Sequence, residues 1–221
     1  MKASEVAALP FRAGAAMRHA RLFHPDGVLC GGTLRRTAAS DSGLPLADSD
    51  VVGRISKGVG TSGGLPDFAG LAWRSHAQGS TRPWDVLMVS ASARLLLHPT
   101  RSWSAPTFST LMPYGYRGGV FWLRARMTSP EELHGLDVGA LRRHIAAESV
   151  VFDIEQAQGR NNFEPLATLE FGRELDSSWP PEDVSFDPTL NTTPGVTLLP
   201  DWLAAVRRRA YRSSRQGRDS E

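Results

Sequence analysis

The sequence of 221 residues contains little cysteine and no long hydrophobic run. Cys30 is its only cysteine, which excludes an internal disulfide and a zinc site built from cysteines. No stretch approaches the ~18 consecutive apolar residues of a membrane-spanning helix. The N-terminus also lacks the cationic start and apolar run of a signal peptide. We therefore expect a cytoplasmic protein with no membrane span.

Lysine is almost absent as well. Lys2 and Lys57 are the only lysines, so arginine supplies nearly all of the 25 cationic residues. Arginine is always charged and binds carboxylates or phosphates through a planar fork. Because the net charge is only +2, the number of arginines does not by itself indicate a function, whereas their positions can.

The order of predicted elements favours a sheet-rich core. The composition, with 41% hydrophobic and 22% charged residues, is typical of a soluble globular protein. We predict one domain spanning 1–221. Strands are expected at 28–34, 51–56, 85–89, 119–127, 150–156 and 166–175. Helices are expected at 4–20, at 137–147 with Asp137 as N-cap, and from Pro200 to about 218. Since strands and helices do not alternate regularly, we expect an antiparallel barrel or an α+β arrangement.

Two short motifs overlap in one glycine-rich stretch. Gly58, Gly60 and Gly63 match G-x-G-x-x-G, and Gly60, Ser62 and Gly64 match G-x-S-x-G. Both motifs need a helix immediately afterwards, to bind a pyrophosphate or to expose a nucleophilic serine. The glycines and proline that follow make a poor helix, so we predict a tight loop between two strands.

The C-terminal segment has a spacing with chemical meaning. On a helix, Arg207 and Tyr211 lie one turn apart, and Arg218 returns to the same face about three turns after Arg207. A neighbouring guanidinium stabilises a phenolate, which is a good ligand for ferric iron. Further up the chain, Arg21 and His24 are three residues apart. Arg54 and Ser56 leave the same face of a strand.

With these residues the sequence resembles the haem catalase family, and its small members in particular. Four colinear blocks carry the resemblance: Arg-Leu-Phe-His-Pro-Asp-Gly at 21–27, Arg-Ile-Ser at 54–56 with the stretch 67–72, Phe-Asp-Pro at 186–188 with Pro-Gly at 194–195, and Arg-x-x-x-Tyr at 207–211 with Arg218. Trp84-Asp85 is a weaker fifth match. The resemblance implies an α+β fold, with an antiparallel β-barrel core at about 18–196, flanking helices, and a C-terminal proximal helix at about 200–218.

The resemblance also implies a haem b site and a role for each residue in it. His24 would be the distal acid–base, with Ser56 hydrogen-bonded to its other ring nitrogen. Tyr211 would be the iron ligand, backed by Arg207. The haem propionates would pair with three arginines: Arg21, Arg54 and Arg218.

The sequence departs from the family in length and at one distal position. The chain lacks the parts on which the interlocked tetramer of large catalases depends, so we expect a monomer or dimer. The family's distal asparagine lies a few residues after Trp84-Asp85, but 86–93 contains none, and Ser90 or Ser92 would have to replace it. We therefore expect a haem-dependent oxidoreductase that cleaves small peroxides, with peroxidase-like turnover, using an unidentified reductant, favoured over rapid dismutation.

Other interpretations remain open. A haem-binding sensor or structural protein without catalysis would also explain the missing asparagine, and some members of the family isomerise fatty-acid hydroperoxides. His24 and Asp26 could bind a metal in a hydrolase, although no second ligand group has comparable spacing. The basic run at 207–209 has only Tyr211 for base stacking, so we expect no nucleic-acid partner.

Overall fold

The computed structural model of the chain describes residues 26–76, 82–175 and 184–200. This part of the chain contains eleven strands and one helix. The helix is α1 (Val138–Ala147). In chain order the strands are β1 (Gly27–Arg36), β2 (Ser49–Lys57), β3 (Ala69–His76), β4 (Pro83–Ser92), β5 (Leu96–Leu97), β6 (Thr107–Ser109), β7 (Tyr114–Tyr116), β8 (Gly119–Ser129), β9 (Val150–Gln158), β10 (Glu164–Glu174) and β11 (Thr197–Leu198).

Eight of these strands close into an antiparallel barrel. The pairing runs β1–β2–β3–β4–β6–β8–β9–β10, and β10 pairs back onto β1. Three further strands lie outside this ring: β5 pairs with β4, β7 pairs with β8, and β11 pairs with β7. Because the sheet closes on itself, none of these eight strands is an edge strand, and few backbone groups are left unpaired.

The barrel interior is filled by side chains. Alternate residues along each strand are buried, as expected when one face of a strand is turned inward. Phe152 lies at the centre, with its ring 5.8 Å from Phe108 and 6.2 Å from Phe171 in edge-to-face contacts. An eight-stranded barrel has an interior just wide enough for side chains. A ligand site in the described part of the chain is therefore expected on the outer face or at one end of the barrel.

The single helix of the described part begins where the sequence predicts. Asp137 is the N-cap, and its Oδ1 accepts a hydrogen bond from the backbone N–H of Ala140 at 2.5 Å. Leu141 and Ile145 are buried, because this face of α1 packs against β10 and β1. The prediction of a helix with this cap is confirmed.

The α+β class with flanking helices is wrong for the described part of the chain, which is nearly all strand and has α1 as its one helix. One physical reason is that the structure has more strands than the residue pattern predicts. The pattern does not predict β3, because Gly70 and Ala72 occupy its outer face and the usual polar alternation is missing. The helices predicted at 4–20 and 200–218 lie outside the described residues. No helix within 26–76, 82–175 and 184–200 is long and apolar enough to cross a membrane.

Candidate functional site: the outer wall of the barrel

Two rows of residues on the outer face of β1 to β4 differ from the rest of the barrel surface. The strand register aligns Leu29, Arg54, Ala72 and Leu87 in one row, and Gly27, Ser56, Gly70 and Val89 in the next. We call these eight residues the outer wall. Six of the eight residues are apolar, and Arg54 is the only charged one. By contrast, the outer faces of β8, β9 and β10 carry several charged side chains: Arg124, Arg126, Asp153, Glu155 and Glu170.

Two of the sequence blocks meet on the outer wall. Gly27, the last residue of the block 21–27, lies opposite Ser56 in the β1–β2 ladder. A Cβ atom at Gly27 would lie 2.7 Å from Ser56 Cβ and 2.9 Å from Arg54 Nε. The side chain of Arg54 therefore approaches the backbone of Gly27 in space that only a glycine leaves open. The structure thus brings Arg54 and Ser56 together on one face, with Ser56 buried.

His24 lies outside the described residues, but the chain limits its distance from the outer wall. It precedes Gly27 by three residues, and three residues span at most about 11 Å. The backbone next to Gly27 is fixed, because the N–H of Lys57 donates to the carbonyl of Asp26 at 2.9 Å. The other predicted site residues outside the described part are Arg21, Arg207, Tyr211 and Arg218.

Asp85 joins two further blocks on the outer face of β4. Its carboxylate is fully buried and accepts two hydrogen bonds from Arg74, at 2.6 Å to Oδ1 and 2.7 Å to Oδ2. Oδ2 also accepts from the backbone N–H of Asp187 at 2.7 Å and from Asn191 Nδ2 at 2.7 Å. The hydrogen bonds to Asp85 raise the pKa of Arg74 above its ordinary value. The segment 184–191, which contains the Phe-Asp-Pro block, is thereby bound to β3 and β4.

The segment that follows is also fixed to the barrel. Asp187 Oδ1 accepts from the N–H and the hydroxyl of Thr189, at 2.9 and 2.6 Å, which stabilises the turn at 188–190. Farther along, β11 pairs with β7, and the N–H of Leu199 donates to the carbonyl of Pro113 at 2.8 Å. The chain therefore enters 201–221, which contains Tyr211, from a defined point on the barrel surface.

The proposed replacement for the distal asparagine is not on the outer wall. Ser90 is fully buried and belongs to the inner face of β4. Its hydroxyl donates to the carbonyl of His98 at 2.8 Å and accepts from the N–H of Ala69 at 3.2 Å. Ser92 lies at the end of β4, opposite Leu96 in β5. Strand alternation turns Ser90 inward, and the outward residue next to it is Val89.

The glycine-rich stretch 58–66 is the loop that the sequence predicts. It connects β2 to β3 without a helix, and Ser62 is exposed within it. Gly60 and Gly63 have φ of +82° and +56°, values that glycine adopts without strain. Neither overlapping motif therefore has the strand–turn–helix context that its chemistry needs.

A polar cavity of about 460 Å³ lies between this loop and the start of α1. Lys57 lines it and is buried, and its ammonium group donates to the carbonyls of Thr61 and Gly63. Asp26, Asp137 and Arg142 also line the cavity, so its charges are mixed. Sequence reasoning missed Lys57, since a lone lysine at the end of a strand gives no signal of burial. Within the described ranges, no group of three or more His, Cys, Asp or Glu side chains could hold a metal ion.

Comparison with known proteins does not identify a family. No protein-family model matches the sequence. No curated protein matches it either.

Proposed function

We propose that this protein is a haem-dependent oxidoreductase that cleaves peroxides. The observation that carries the proposal is the convergence of separate sequence blocks on one side of the barrel. Gly27 of the first block lies against Arg54 and Ser56 of the second. The third block, at 186–188, is hydrogen-bonded to Asp85 of the fifth on β4. We take this convergence on one side of the barrel as the support for a common site.

The chemistry of the outer wall fits haem b. A porphyrin needs a largely apolar surface, and Gly70 and Ala72 place only small residues in the middle of the wall. Its propionates need cationic partners, and the half-buried Arg54 lies at the centre of the wall. In this proposal Arg21 and Arg218 pair with the remaining propionate oxygens.

The remaining residues would hold the iron and move protons. Tyr211 would bind the iron as a phenolate, and Arg207, four residues earlier in the sequence, would stabilise that anion. Ser56 would hydrogen-bond one ring nitrogen of His24 and so fix its tautomer. His24 would then take a proton from the near oxygen of the peroxide and return it to the far oxygen, which leaves as water or an alcohol. When bound, haem b supplies the redox chemistry of O–O cleavage.

Val89 supports peroxidase-like turnover over rapid dismutation. An amide side chain next to the histidine would orient a second peroxide as the reductant, whereas valine offers no hydrogen bond. The described part of the outer wall has hydrogen-bonding side chains only at Arg54 and Ser56. We therefore propose that a separate small reductant completes the cycle.

Hemin titration of the full chain tests the proposal. We expect saturable binding with a ferric spectrum typical of phenolate ligation, and a Tyr211→Phe variant should lose that signature while Tyr116→Phe keeps it. His24→Ala should bind hemin normally but react with peroxide about 10²–10⁴-fold more slowly, whereas the exposed His134→Ala should match the parent. A parent protein that takes up no hemin would overturn the proposal. Hemin binding without peroxide reactivity in the parent would instead support a haem-binding protein without catalysis.

A further inference from the structure

The polar cavity between the loop 58–66 and the start of α1 is bounded by backbone that the protein itself fixes. Its volume of about 460 Å³ lies within the range of small-molecule sites, about 300–1,000 Å³. The backbone N–H of Thr61 donates to Asp67 at 2.8 Å. The carbonyl groups of Thr61 and Gly63 accept from the ammonium group of Lys57. The loop is therefore bound on both of its sides, and the cavity is formed before any ligand enters it.

Lys57 brings a positive charge to this cavity without a carboxylate beside it. Its side chain is buried, and both of its acceptors are uncharged backbone carbonyls of residues that line the cavity. No ion pair within 26–76, 82–175 and 184–200 includes Lys57. An ammonium group has three N–H donors, and buried charges are normally paired with an opposite charge. The remaining donor and the charge of Lys57 are therefore suited to an anionic group of a ligand.

The first turn of α1 adds backbone donors on the opposite wall. Val138 and Gly139 line the cavity and are the first two residues of the helix. The N–H groups at these positions have no partner within a helix. The cap residue Asp137 accepts from Ala140 instead. Because a helix N-terminus favours negative groups, this wall also suits an anionic group of a ligand.

The other charged residues of the cavity differ in whether their charge is compensated. Arg142 is paired with Glu174, with 2.6 Å between Nε and Oε1. The carboxylate of Asp137 is stabilised by the helix that it caps. Asp26 is exposed and forms no ion pair in the part of the chain that the structure describes. The lining therefore leaves one cation, Lys57, and one anion, Asp26, without an opposite charge.

These two charges lie on neighbouring strands. The N–H of Lys57 donates to the carbonyl of Asp26 at 2.9 Å, directly after the pair of Gly27 and Ser56 in the β1–β2 ladder. Side chains of residues that lie opposite each other in such a ladder leave the same face of the sheet, with Cβ atoms about 5 Å apart. One small molecule can therefore contact both charges.

We propose that this cavity binds a small zwitterion of the amino-acid class, with its carboxylate at Lys57 and its ammonium group at Asp26. A dianion such as phosphate would bring its charge against Asp26 and Asp137, whereas a zwitterion carries a positive group that compensates Asp26. The buried cation selects the carboxylate, and the exposed anion selects the amino group. Neither contact depends on haem.

Calorimetric titration of the hemin-free full chain tests the proposal. The probes are the standard L-amino acids and γ-aminobutyrate, with acetate, propionate and butyrate as the acids that match glycine, alanine and γ-aminobutyrate but lack the amino group. We expect saturable binding of amino acids and binding of each matched acid about fivefold weaker, since only the ammonium group interacts with Asp26. If no amino acid binds at millimolar concentration, the proposal is overturned. Equal affinity for amino acids and matched acids, or tighter binding of inorganic phosphate, would overturn it as well.

Two variants separate the contributions of the two charges. Asp26→Asn should abolish the preference for an amino acid over its matched acid, because the amide carries no charge for the ammonium group. Lys57→Met should weaken the binding of both ligands about 10- to 100-fold, the loss typical of a hydrogen bond to a charged group. Asp50→Asn, at the other end of β2, is the control and should keep both affinities.

The variants also give outcomes that decide against this site. An unchanged preference in Asp26→Asn would overturn the contact with the ammonium group. Unchanged affinities in Lys57→Met would overturn the contact with the carboxylate. Should Lys57→Met fail to fold, Asp26→Asn decides alone, because it leaves Lys57 and the loop intact. Hemin is absent from these titrations, so failure of the haem proposal and failure of this one are read from different experiments.

Discussion

Asp67 binds both hydrogen-bond donors of Thr61. Its Oδ2 accepts from the backbone N–H of Thr61 at 2.8 Å and from the hydroxyl at 3.1 Å. The same carboxylate accepts three further backbone N–H groups, those of Val59, Gly60 and Phe68, at 2.7 to 2.9 Å. Burial alone would raise the pKa of Asp67, but these hydrogen bonds outweigh it and lower the pKa below its ordinary value. One buried side chain thus organises the loop 58–66.

Asp67→Asn should destabilise the protein by about 1–3 kcal/mol at neutral pH, since an amide cannot accept all of these bonds. Because the folded pKa of Asp67 is lowered, its contribution is present above the unfolded pKa of about 3.9 and is lost as the pH falls through the folded pKa. Urea unfolding at neutral and acidic pH measures both effects. The exposed Asp50→Asn is the control. A destabilisation equal to that of Asp50→Asn would contradict the assignment.

Arg36 holds the loop 37–48 through its guanidinium. It donates to five backbone carbonyl groups, those of Ala38, Ala39, Ser42, Leu44 and Leu46. Lysine carries its three N–H donors on one nitrogen, so it cannot bind all five of these carbonyl groups. We expect Arg36→Lys to lower the free energy of unfolding by about 1–3 kcal/mol, measured by urea denaturation. Arg35→Lys, at a largely exposed neighbour, should change little, and equal effects at the two positions would argue against this role.

Cys30 should be chemically inert in the folded protein. The thiol is fully buried on β1, and burial, with a smaller effect from Glu174, raises its pKa to about 12. The reactive thiolate is therefore scarce at pH 8. A thiol reagent such as DTNB should react with no cysteine in native protein and with one per chain in concentrated urea. Rapid labelling of native protein would mean that β1 opens readily.

Gly27→Ala should be strongly disfavoured. The added methyl group would lie 2.7 Å from the carbonyl oxygen of Ile55, a backbone atom that cannot rotate away. We expect a loss of about 1–3 kcal/mol, together with weaker hemin binding if Arg54 is displaced. Gly172→Ala is the matched control, because a Cβ there meets nothing within 4 Å. Thermal unfolding of the two variants gives the comparison, and similar melting temperatures would contradict this expectation.

Local sequence patterns predict the strands with regular alternation and the capped helix of this fold. Side-chain orientation and long-range contacts depend on tertiary packing. The alternation in 150–156 and 166–175 predicts β9 and β10 well, and Asp137 predicts the start of α1. The two-residue spacing of Arg54 and Ser56 predicts their common face. The inward orientation of Ser90 could not be predicted, because apolar residues occupy both faces of β4 and the sequence does not show which face is turned inward. Two partners of Asp85 lie more than a hundred positions away, at Asp187 and Asn191, and no local pattern predicts such contacts.

The closure of the barrel limits when its strands can pair during synthesis. β1 takes β2 as a neighbour on one side early, but its other neighbour is β10. During translation, the open side of β1 therefore waits until almost the whole barrel has left the ribosome. Such long-range pairing is slow, and it leaves the unpaired edge of β1 exposed to aggregation in the nascent chain. A chaperone that shields β1 until β10 arrives would raise the yield of folded protein without changing its final stability.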